Sequence, residues 1–307
     1  MPFLESHGIG GNGKMPKAYI TSERLLPPNN QYTDNVVQQS QKYIVTSTNN
    51  WYASLSIYDR RNKQFLRSIY PSNPNLGCCY KDHLIIQTGT TEGFVRYNLL
   101  TGEKTVLGQT YQNYNGGTSW VHPDENAAAL ITAGCVYFFD GNGALKWKTT
   151  DQSLKLLVPV GMVNNQLRIY SKDRALMYDF DIDKGTYTSS SAPGSLLEIA
   201  KSENGYVGKP SSGGITYYDN TLKPVKSITN REFLITFGTY NQFVAVSNVI
   251  DANLSTIEIY NDKLDQKKLE VFSMVGRAAF DSFNQKSITL SGQGTQGSVT
   301  QLNFNKL

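Results

Sequence analysis

Short apolar runs alternate along the chain with polar clusters that are rich in Gly, Asn and Asp. One pattern recurs: an apolar run ends, usually in an aromatic residue, and is followed by Asp or Asn and then by turn residues. The residues at this anchor position are Asp59, Asn98, Asp140, Asp181, Asp219, Asn261 and Asn303, at spacings of 39, 42, 41, 38, 42 and 42 residues. A regular period of about 40 residues indicates a repeat architecture.

Two positions near the anchor support the register of the repeats. The residue before the anchor is aromatic in six of the seven repeats, although aromatic residues make up 11% of the chain, and the residue four before it is always apolar. We expect this run to be a strand that is buried on both faces. We expect the anchor side chain to start a turn by bonding to the backbone two residues further on. Gly102, Gly143 and Gly185 would supply a positive φ in three of these turns.

Each repeat also contains two strands before this run and one strand after it. In the second repeat the four segments read LGCCY, HLIIQTG, GFVRYN and EKTVLGQ. Four strands in about 41 residues correspond to one blade of a β-propeller, in which four-stranded sheets pack face to face around a channel. The sequence therefore predicts an all-β fold, a seven-bladed β-propeller with four-stranded blades near residues 34–70, 76–110, 117–150, 155–190, 195–229, 232–273 and 274–307.

The two ends of the chain complete this prediction. The seventh repeat has three strands, and the segment 18–26, AYITSERLL, precedes the first blade. We predict that 18–26 is the outer strand of the seventh blade and closes the ring, because closure removes an exposed sheet edge. Residues 18–307 then form a single propeller domain and 1–17 a Gly-rich N-terminal arm. The arm would contact a neighbouring subunit or pack on its own propeller, and the sequence leaves both alternatives open.

One repeat carries a family resemblance. The segment 135–149, CVYFFDGNGALKWKT, resembles the blade motif of the quinoprotein-like and YVTN-type propeller superfamily, with Asp140 and Gly143 in the turn and Trp147 on the outer strand. The other repeats lack this Trp. The resemblance implies the architecture of residues 18–307 and no specific activity, because a fold does not by itself define a function.

Charge and hydropathy exclude some classes of partner. The net charge is +4 with 18% charged residues, and no run of Lys and Arg forms a stripe, so we expect no specific nucleic-acid binding. The longest apolar runs, such as 156–160, are far shorter than the roughly 20 residues that span a bilayer, so we expect no membrane insertion. The N-terminal residues lack the pattern of a signal peptide, and we expect a virion or cytoplasmic location.

Three features are candidates for chemistry. Cys78 and Cys79 are adjacent, and quinoprotein dehydrogenases of the resembling superfamily can carry such a vicinal pair as a disulfide; the alternative is two small side chains in a tight inner strand. Asp179, Asp181 and Asp183 alternate as in a calcium loop, although Lys184 stands where that loop needs Gly, and a turn explains the run equally well.

The histidines give the third feature. His7, His83 and His122 lie in different parts of the repeat pattern, with His83 in a predicted turn. The predicted inner strands carry few acids or bases, whereas catalytic sites need titratable groups that converge. The sequence therefore predicts no catalytic residue, no metal site and no cofactor, and a protein that is not an enzyme.

Connections rich in Tyr and Asn are the predicted binding surface. Two of them, TNNWY at 48–52 and GQTYQNYNGGT at 108–118, should emerge on one face together with 29–33. Tyr and Trp supply rigid contact area and Asn supplies adaptable hydrogen bonds, a composition typical of binding loops. The predicted partner-binding residues are Tyr32, Asn50, Trp51, Tyr52, Tyr111, Asn113 and Tyr114.

These features favour a non-enzymatic structural or interaction propeller that acts as a subunit of a larger assembly, through its arm and its Tyr/Asn-rich loops. Short-tailed bacteriophages use propeller domains in their tail nozzles, and by analogy the composition suits a phage tail protein. One alternative is a carbohydrate-binding propeller in which Trp51 and Tyr52 stack on sugar rings. A second alternative is a quinoprotein-like oxidoreductase or a hydrolase.

Overall fold

The structure, a computed structural model, describes residues 19–24, 35–47, 54–71, 74–88, 93–108, 117–229, 235–240, 243–249, 255–273, 279–284, 287–291 and 298–303. Within these ranges the chain forms strands and turns, and they contain no helix and hence no helix that could cross a membrane. The fold is all-β, as the sequence predicts. Strands are numbered in chain order from β1 (Tyr19–Arg24).

Five consecutive four-stranded antiparallel sheets follow β1, and each is a simple up-and-down meander. The first sheet contains β2 (Asn35–Gln39), β3 (Tyr43–Ser47), β4 (Leu55–Asp59) and β5 (Phe65–Ile69). The second contains β6 (Pro74–Tyr80), β7 (His83–Thr88), β8 (Phe94–Asn98) and β9 (Lys104–Val106). The third contains β10 (Gly117–Val121), β11 (Ala127–Thr132), β12 (Cys135–Asp140) and β13 (Leu145–Thr150).

The fourth and fifth sheets repeat this order. The fourth contains β14 (Leu157–Val163), β15 (Gln166–Ser171), β16 (Leu176–Asp181) and β17 (Tyr187–Ser191). The fifth contains β18 (Leu196–Lys201), β19 (Tyr206–Pro210), β20 (Ile215–Tyr218) and β21 (Pro224–Ile228). The anchors Asp59 to Asp181 each end the third strand of their sheet and Asp219 directly follows β20, so the sequence register is confirmed here.

The remaining strands pair in the same manner. Four of them form one sheet: β22 (Ile235–Tyr240), β23 (Phe243–Val249), β24 (Ser255–Asn261) and β25 (Lys267–Ser273). The last three, β26 (Ala279–Asn284), β27 (Ser287–Ser291) and β28 (Ser298–Asn303), are joined by β1. β1 lies antiparallel to β28 with Glu23 opposite Val299, which is the partner that the sequence predicts for 18–26.

The chain divides into two compact units. One unit comprises 37–199, with 27–29, and the other comprises 200–307 with 1–26 and 30–36. In the unit 37–199 the first strands β6, β10 and β14 contact one another in turn, so the fourth strands lie at the far edges of their sheets.

The core of the unit 37–199 lies between the faces of neighbouring sheets. Buried side chains of the first and second sheets meet around Ile57 and Leu84, those of the second and third around Phe94 and Tyr137, and those of the third and fourth around Trp147. Each internal sheet therefore buries both faces. Accordingly the third strand β12 is buried at every position from Cys135 to Phe139, as expected for a strand that reads as a continuous apolar run.

The anchor residues start turns as predicted. The Oδ1 atom accepts a hydrogen bond from the backbone N–H two residues on at Asp59, Asn98, Asp140, Asp181 and Asp219, at 2.8–2.9 Å. Asn261 differs, because its Oδ1 accepts from Asp265 and Gln266 instead. Gly102, Gly143 and Gly185 have φ of 77°, 75° and 71°, which confirms the positive φ predicted for these turns.

Candidate functional site

The predicted partner-binding residues lie outside the described residues. They are Tyr32, Asn50, Trp51, Tyr52, Tyr111, Asn113 and Tyr114. In sequence, 48–52 connects β3 to β4 and 108–118 connects β9 to β10. The arm 1–17 and His7 also lie outside the described part of the chain. The loop contacts and the role of the arm therefore stay predictions.

The turn between the first and second strands of each sheet is here called the first turn. The best-defined polar arrangement lies where these first turns meet the anchor turns, which join the third and fourth strands. Both turns are at the same end of an antiparallel sheet. Hydrogen bonds cross between neighbouring sheets here. The Tyr43 hydroxyl donates to Asp82 Oδ1 at 2.9 Å, and the Tyr80 hydroxyl donates to the Asp140 carbonyl oxygen at 2.9 Å.

Glu125 is the centre of this arrangement. It lies in the first turn of the third sheet, is 2% exposed and has a φ of 54°. Its Oε1 accepts the backbone N–H of Gln41 at 2.5 Å, and its Oε2 accepts that of Lys81 at 2.6 Å. Gln41 and Lys81 lie in the first turns of the first and second sheets. One carboxylate therefore joins the first turns of three consecutive sheets.

Burial shapes the electrostatics around Glu125. Burial raises the pKa of Glu125, while the N–H groups of Lys81 and Gln41 and the charge of Arg60 oppose that rise. Arg60 is buried as well, and burial lowers its pKa, whereas the charge of Glu125 acts in the opposite direction. The Arg60 guanidinium donates to the Ser40 carbonyl oxygen at 2.9 Å. Both oxygens of Glu125 are occupied by backbone donors, so the group holds turns together.

A second buried carboxylate works in the same way in the unit 200–307. Asp262, 3% exposed, follows the anchor Asn261 and accepts the backbone N–H of Asn204 at 2.8 Å and its side-chain amide at 3.0 Å. The Tyr217 hydroxyl donates to the Asn204 carbonyl oxygen at 3.0 Å. The two units thus use different residues, Glu125 and Asp262, to bond the first turn of one sheet to a turn of another.

Trp147 joins the third and fourth sheets. It lies on β13, as the motif 135–149 implies, and its ring stacks on Phe138 at 4.9 Å and on Phe180 at 5.9 Å between ring centroids. Its Nε1–H donates to the Ile182 carbonyl oxygen at 2.9 Å. The motif residue that carries the family resemblance therefore has a packing role between sheets.

Comparison with solved structures places this arrangement among known folds. No protein-family model matches the sequence, and no curated protein is similar to it in sequence. The WD40 domain of Toxoplasma gondii coronin superposes with a TM-score of 0.61 at 12% identity, covering 95% of this chain and 87% of that one. The fold is a β-propeller.

Two further structures agree with this propeller assignment. BamB from Moraxella catarrhalis has a TM-score of 0.55 at 12% identity, covering 90% of this chain and 86% of that chain. The computationally designed Ika8 protein has a TM-score of 0.55 at 12% identity, covering 91% and 99%. Identities this low show the fold alone.

The cysteines of the propeller are buried free thiols. Cys78 packs with residues of the third sheet, whereas Cys79 packs with residues of the first sheet. Adjacent residues of a strand point to opposite faces, and neither thiol is bonded to the other. Burial raises the pKa of both thiols. The structural alternative, two small side chains in a tight strand, describes this pair.

The acidic run of the fourth sheet has three separate sets of partners. Asp179 forms a two-point ion pair with Arg168 at 2.6 Å, Asp181 accepts the N–H groups of Asp183 and Lys184, and Asp183 pairs with Lys146 at 2.6 Å. Over the described ranges no three metal-binding side chains come together. The turn interpretation of this run fits these hydrogen bonds and ion pairs.

Each described histidine has its own aromatic neighbour. His83 is the first residue of β7 and not part of the turn, and its ring meets Tyr80 edge to face at 5.8 Å. His122 follows β10, accepts the Asp124 N–H at 3.1 Å through Nδ1, and contacts Trp120 at 5.8 Å. Burial lowers the pKa of both histidines, and the charge of Asp124 opposes that shift at His122.

Proposed function

We propose that the chain is a non-enzymatic interaction propeller that acts as a subunit of a larger assembly. The observation that carries this proposal is the use of the buried polar groups. The two oxygens of Glu125 accept the backbone N–H groups of Gln41 and Lys81, and Asp262 Oδ2 accepts the backbone N–H and the side-chain amide of Asn204. The Trp147 N–H donates to a carbonyl oxygen of the next sheet. These bonds favour a rigid frame. On rigid frames, binding residues lie in the connecting loops.

The proposed frame is a ring of seven blades that β1 closes. The support is the repeated four-stranded order of the five central sheets, the sheet of β22 to β25, and the pairing of β26, β27 and β28 with β1. Removing β1 tests this proposal. We expect the protein that lacks 1–26 to lose the cooperative unfolding transition that the wild type shows at its midpoint. We expect the protein that lacks 1–17 to keep this transition unchanged. Equal stability of both deletions would contradict closure by β1.

We propose that the partner surface consists of the loops with Tyr32, Asn50, Trp51, Tyr52, Tyr111, Asn113 and Tyr114, together with the arm 1–17. A photo-crosslinking amino acid, p-benzoylphenylalanine, in place of Tyr52 or Tyr114 tests it in cells of the source organism. The matched control is the same substitution at Leu100, which is 61% exposed in an anchor turn at the opposite end of its sheet. We expect one shared protein adduct from positions 52 and 114 and none from 100.

Other adduct patterns would change the conclusion. Equal labelling from all three positions would indicate random contact, and no protein adduct from 52 or 114 would contradict the proposed surface. On a glycan array, binding that is lost in Trp51→Ala would favour the carbohydrate-binding alternative instead.

We further propose a virion, with a phage tail as the first candidate, as the assembly. The support is the Asn-, Gln- and Tyr-rich composition and the analogy with tail propellers. Purified virions should contain the protein at a fixed copy number by mass spectrometry. Its recovery only in the soluble cytoplasmic fraction would contradict this assignment.

A further inference from the structure

The fourth strand of each sheet has a strand neighbour on one side only, so its other edge carries backbone N–H and C=O groups without a strand partner. In β17 this edge is open to solvent, since the side chains of Thr188, Ser189, Ser190 and Ser191 are all exposed. Unpaired strand edges are templates for pairing with another chain.

β17 differs from the other fourth strands in composition. Each of the others that the structure describes carries a charged residue or a proline, for example Arg67 in β5, Lys104 in β9, Lys146 in β13 and Pro224 in β21. β17, with the sequence YTSSS, carries neither. Charges and proline are the usual means by which edge strands avoid pairing. Among the fourth strands that the structure describes, β17 is therefore the one whose open edge lacks residues that prevent pairing with another chain.

The hydrogen bonds at the ends of β17 show which groups point outward. Asp181 N–H donates to the Thr186 carbonyl oxygen at 2.8 Å, and Ala192 N–H donates to that of Ala175 at 2.9 Å. The register between β16 and β17 is unbroken between these points. Because bonding to one neighbour alternates along an antiparallel strand, Thr188 and Ser190 bond toward β16. Tyr187, Ser189 and Ser191 then direct their N–H and C=O groups to the open edge.

We propose that β17 pairs with β17 of a second copy of this chain, antiparallel, about a twofold axis at Ser189. Ser189 then lies opposite itself, Tyr187 opposite Ser191 and Thr188 opposite Ser190. The nearest charged residue in the preceding turn, Lys184, lies opposite Gly194. No like charges face each other, and the hydroxyl pairs are of a type that stabilises adjacent strands.

Charge argues for a second copy at this strand and against one at two of its counterparts, β5 and β21. Self-pairing about the centre of β5 would set Arg67 against Arg67, and self-pairing of β21 would set Lys226 against Lys226. Like charges that lie directly opposite are destabilising. A five-residue edge buries less surface than a standard interface of about 1,600 Å², so we expect a reversible monomer–dimer equilibrium.

A charge swap within β17 tests the twofold pairing. In Ser189→Lys two lysines face each other across the axis, whereas in the matched control Ser190→Lys each lysine faces Thr188. Sedimentation velocity over a concentration series should show a dimer for the wild type, a dimer of similar affinity for Ser190→Lys, and at least about tenfold weaker dimerisation for Ser189→Lys. Circular dichroism melting checks that both variants fold.

Two further variants keep the test independent of charge. Ser189→Pro removes an outward N–H without touching the bonds to β16, so it should abolish the dimer in a folded protein. Ser189→Cys should form an intermolecular disulfide on mild oxidation, whereas Ser190→Cys should not, because only position 189 faces itself. A wild type that stays monomeric at all concentrations, or a dimer that survives both Ser189→Lys and Ser189→Pro, would overturn the proposal. The loop contacts proposed above lie on other residues, so either proposal can fail alone.

Discussion

The backbone of Gly185 passes directly beneath the indole of Trp147. A Cβ atom built at Gly185 would lie 2.8 Å from Cδ2 and Cε3 of that ring, which is closer than real carbon contacts allow. Gly185 also has a φ of 71°, a conformation that costs side-chain-bearing residues about 1–2 kcal/mol. The close approach lets the Trp147 ring stack on Phe180 and donate to Ile182.

Gly185→Ala should therefore be more destabilising than a glycine replacement without such a neighbour. Gly108→Ala is the matched control, because Gly108 also has a positive φ, of 56°, but no atom of another described residue, chain neighbours apart, lies within 4 Å of its Cβ position. We expect a loss of about 1–2 kcal/mol in the free energy of unfolding for Gly108→Ala. Gly185→Ala should lose about 1–3 kcal/mol more because of overpacking. Urea unfolding measures the free energy of unfolding of both variants. Equal losses would show that the contact with Trp147 does not contribute to the stability difference.

Glu125→Gln should loosen the first turns of three sheets. The amide has one oxygen, so one of the two N–H groups, of Gln41 or Lys81, would face an NH₂ group and lose its acceptor. A buried donor without a partner costs about 1–3 kcal/mol. Glu103→Gln, an exposed glutamate in an anchor turn, is the control and should be within about 0.5 kcal/mol of the wild type. Hydrogen exchange should quicken at whichever amide, of Gln41 or Lys81, loses its acceptor in Glu125→Gln, and at neither in Glu103→Gln.

The same substitution has a defined pH dependence. The pKa of Glu125 is raised above its ordinary value near 4.5. The folded state therefore binds more protons than the unfolded state between these two values, and the free energy of unfolding falls as the pH rises through this window. Glu125→Gln should remove that slope. Unfolding curves between about pH 4 and 8 measure it, and parallel pH profiles of the variant and the wild type would contradict the assignment.

The turn chemistry could be predicted from the sequence because it is local. An anchor such as Asp140 bonds to Asn142, two residues away, so the residue type and the repeat period suffice to place it. The pairing of β1 with β28 was also accessible, since the last repeat lacks a strand and the first segment supplies one.

The role of Glu125 could not be predicted from the sequence in this way. Its partners lie 84 and 44 residues away and are backbone N–H groups, which leave no mark on the sequence. The only signal is an acidic residue two positions before the fully buried strand β11. The left-handed turn positions could be predicted where they are Gly. They could not be predicted at Lys63, Leu222 and Leu264, because there burial or turn geometry overrides the preference of these residue types for negative φ.

The anchor carboxylates contribute to the stability of the folded protein at low pH, and Asp→Asn substitutions can measure that contribution. Backbone N–H groups of Asp183 and Lys184 lower the pKa of Asp181, and the Thr221 hydroxyl together with the N–H groups of Lys223 and Thr221 lowers that of Asp219. A lowered native pKa gives stability that is present above the ordinary value near 3.8 and is lost as the pH falls through the native pKa.

Asn keeps the Oδ1 acceptor and does not titrate, and the chain itself uses Asn98 at the same position. Asp181→Asn with Asp219→Asn should therefore weaken the dependence of stability on pH below about 4. Acid unfolding followed by circular dichroism measures this. The control is Asp173→Asn, at an exposed residue outside the anchor turns. The same change of slope in this control would contradict a specific role of the anchors.

Leu222 and Leu264 lie three residues after their anchors in the left-handed conformation, with φ of 64° and 58°, at the position that Gly143 holds in the third repeat. In each turn the N–H of the leucine donates to the anchor carbonyl oxygen at 3.0 Å, so the backbone demand is the same. Their burial differs: Leu264 is 2% exposed and packs with Val244 and Tyr260, whereas Leu222 is only half-buried.

Substitution by glycine should separate backbone strain from packing. Leu222→Gly relieves about 1–2 kcal/mol of left-handed strain and adds about 0.5–1 kcal/mol of chain entropy, so it should be neutral or stabilising by up to about 1 kcal/mol. Leu264→Gly relieves the same strain but deletes a buried side chain worth about 2–5 kcal/mol, so it should be destabilising. Thermal and urea unfolding measure the change in the free energy of unfolding for the two variants. We expect changes of opposite sign if burial alone holds Leu264 in this conformation. Losses of equal size would show that the turn itself prefers leucine.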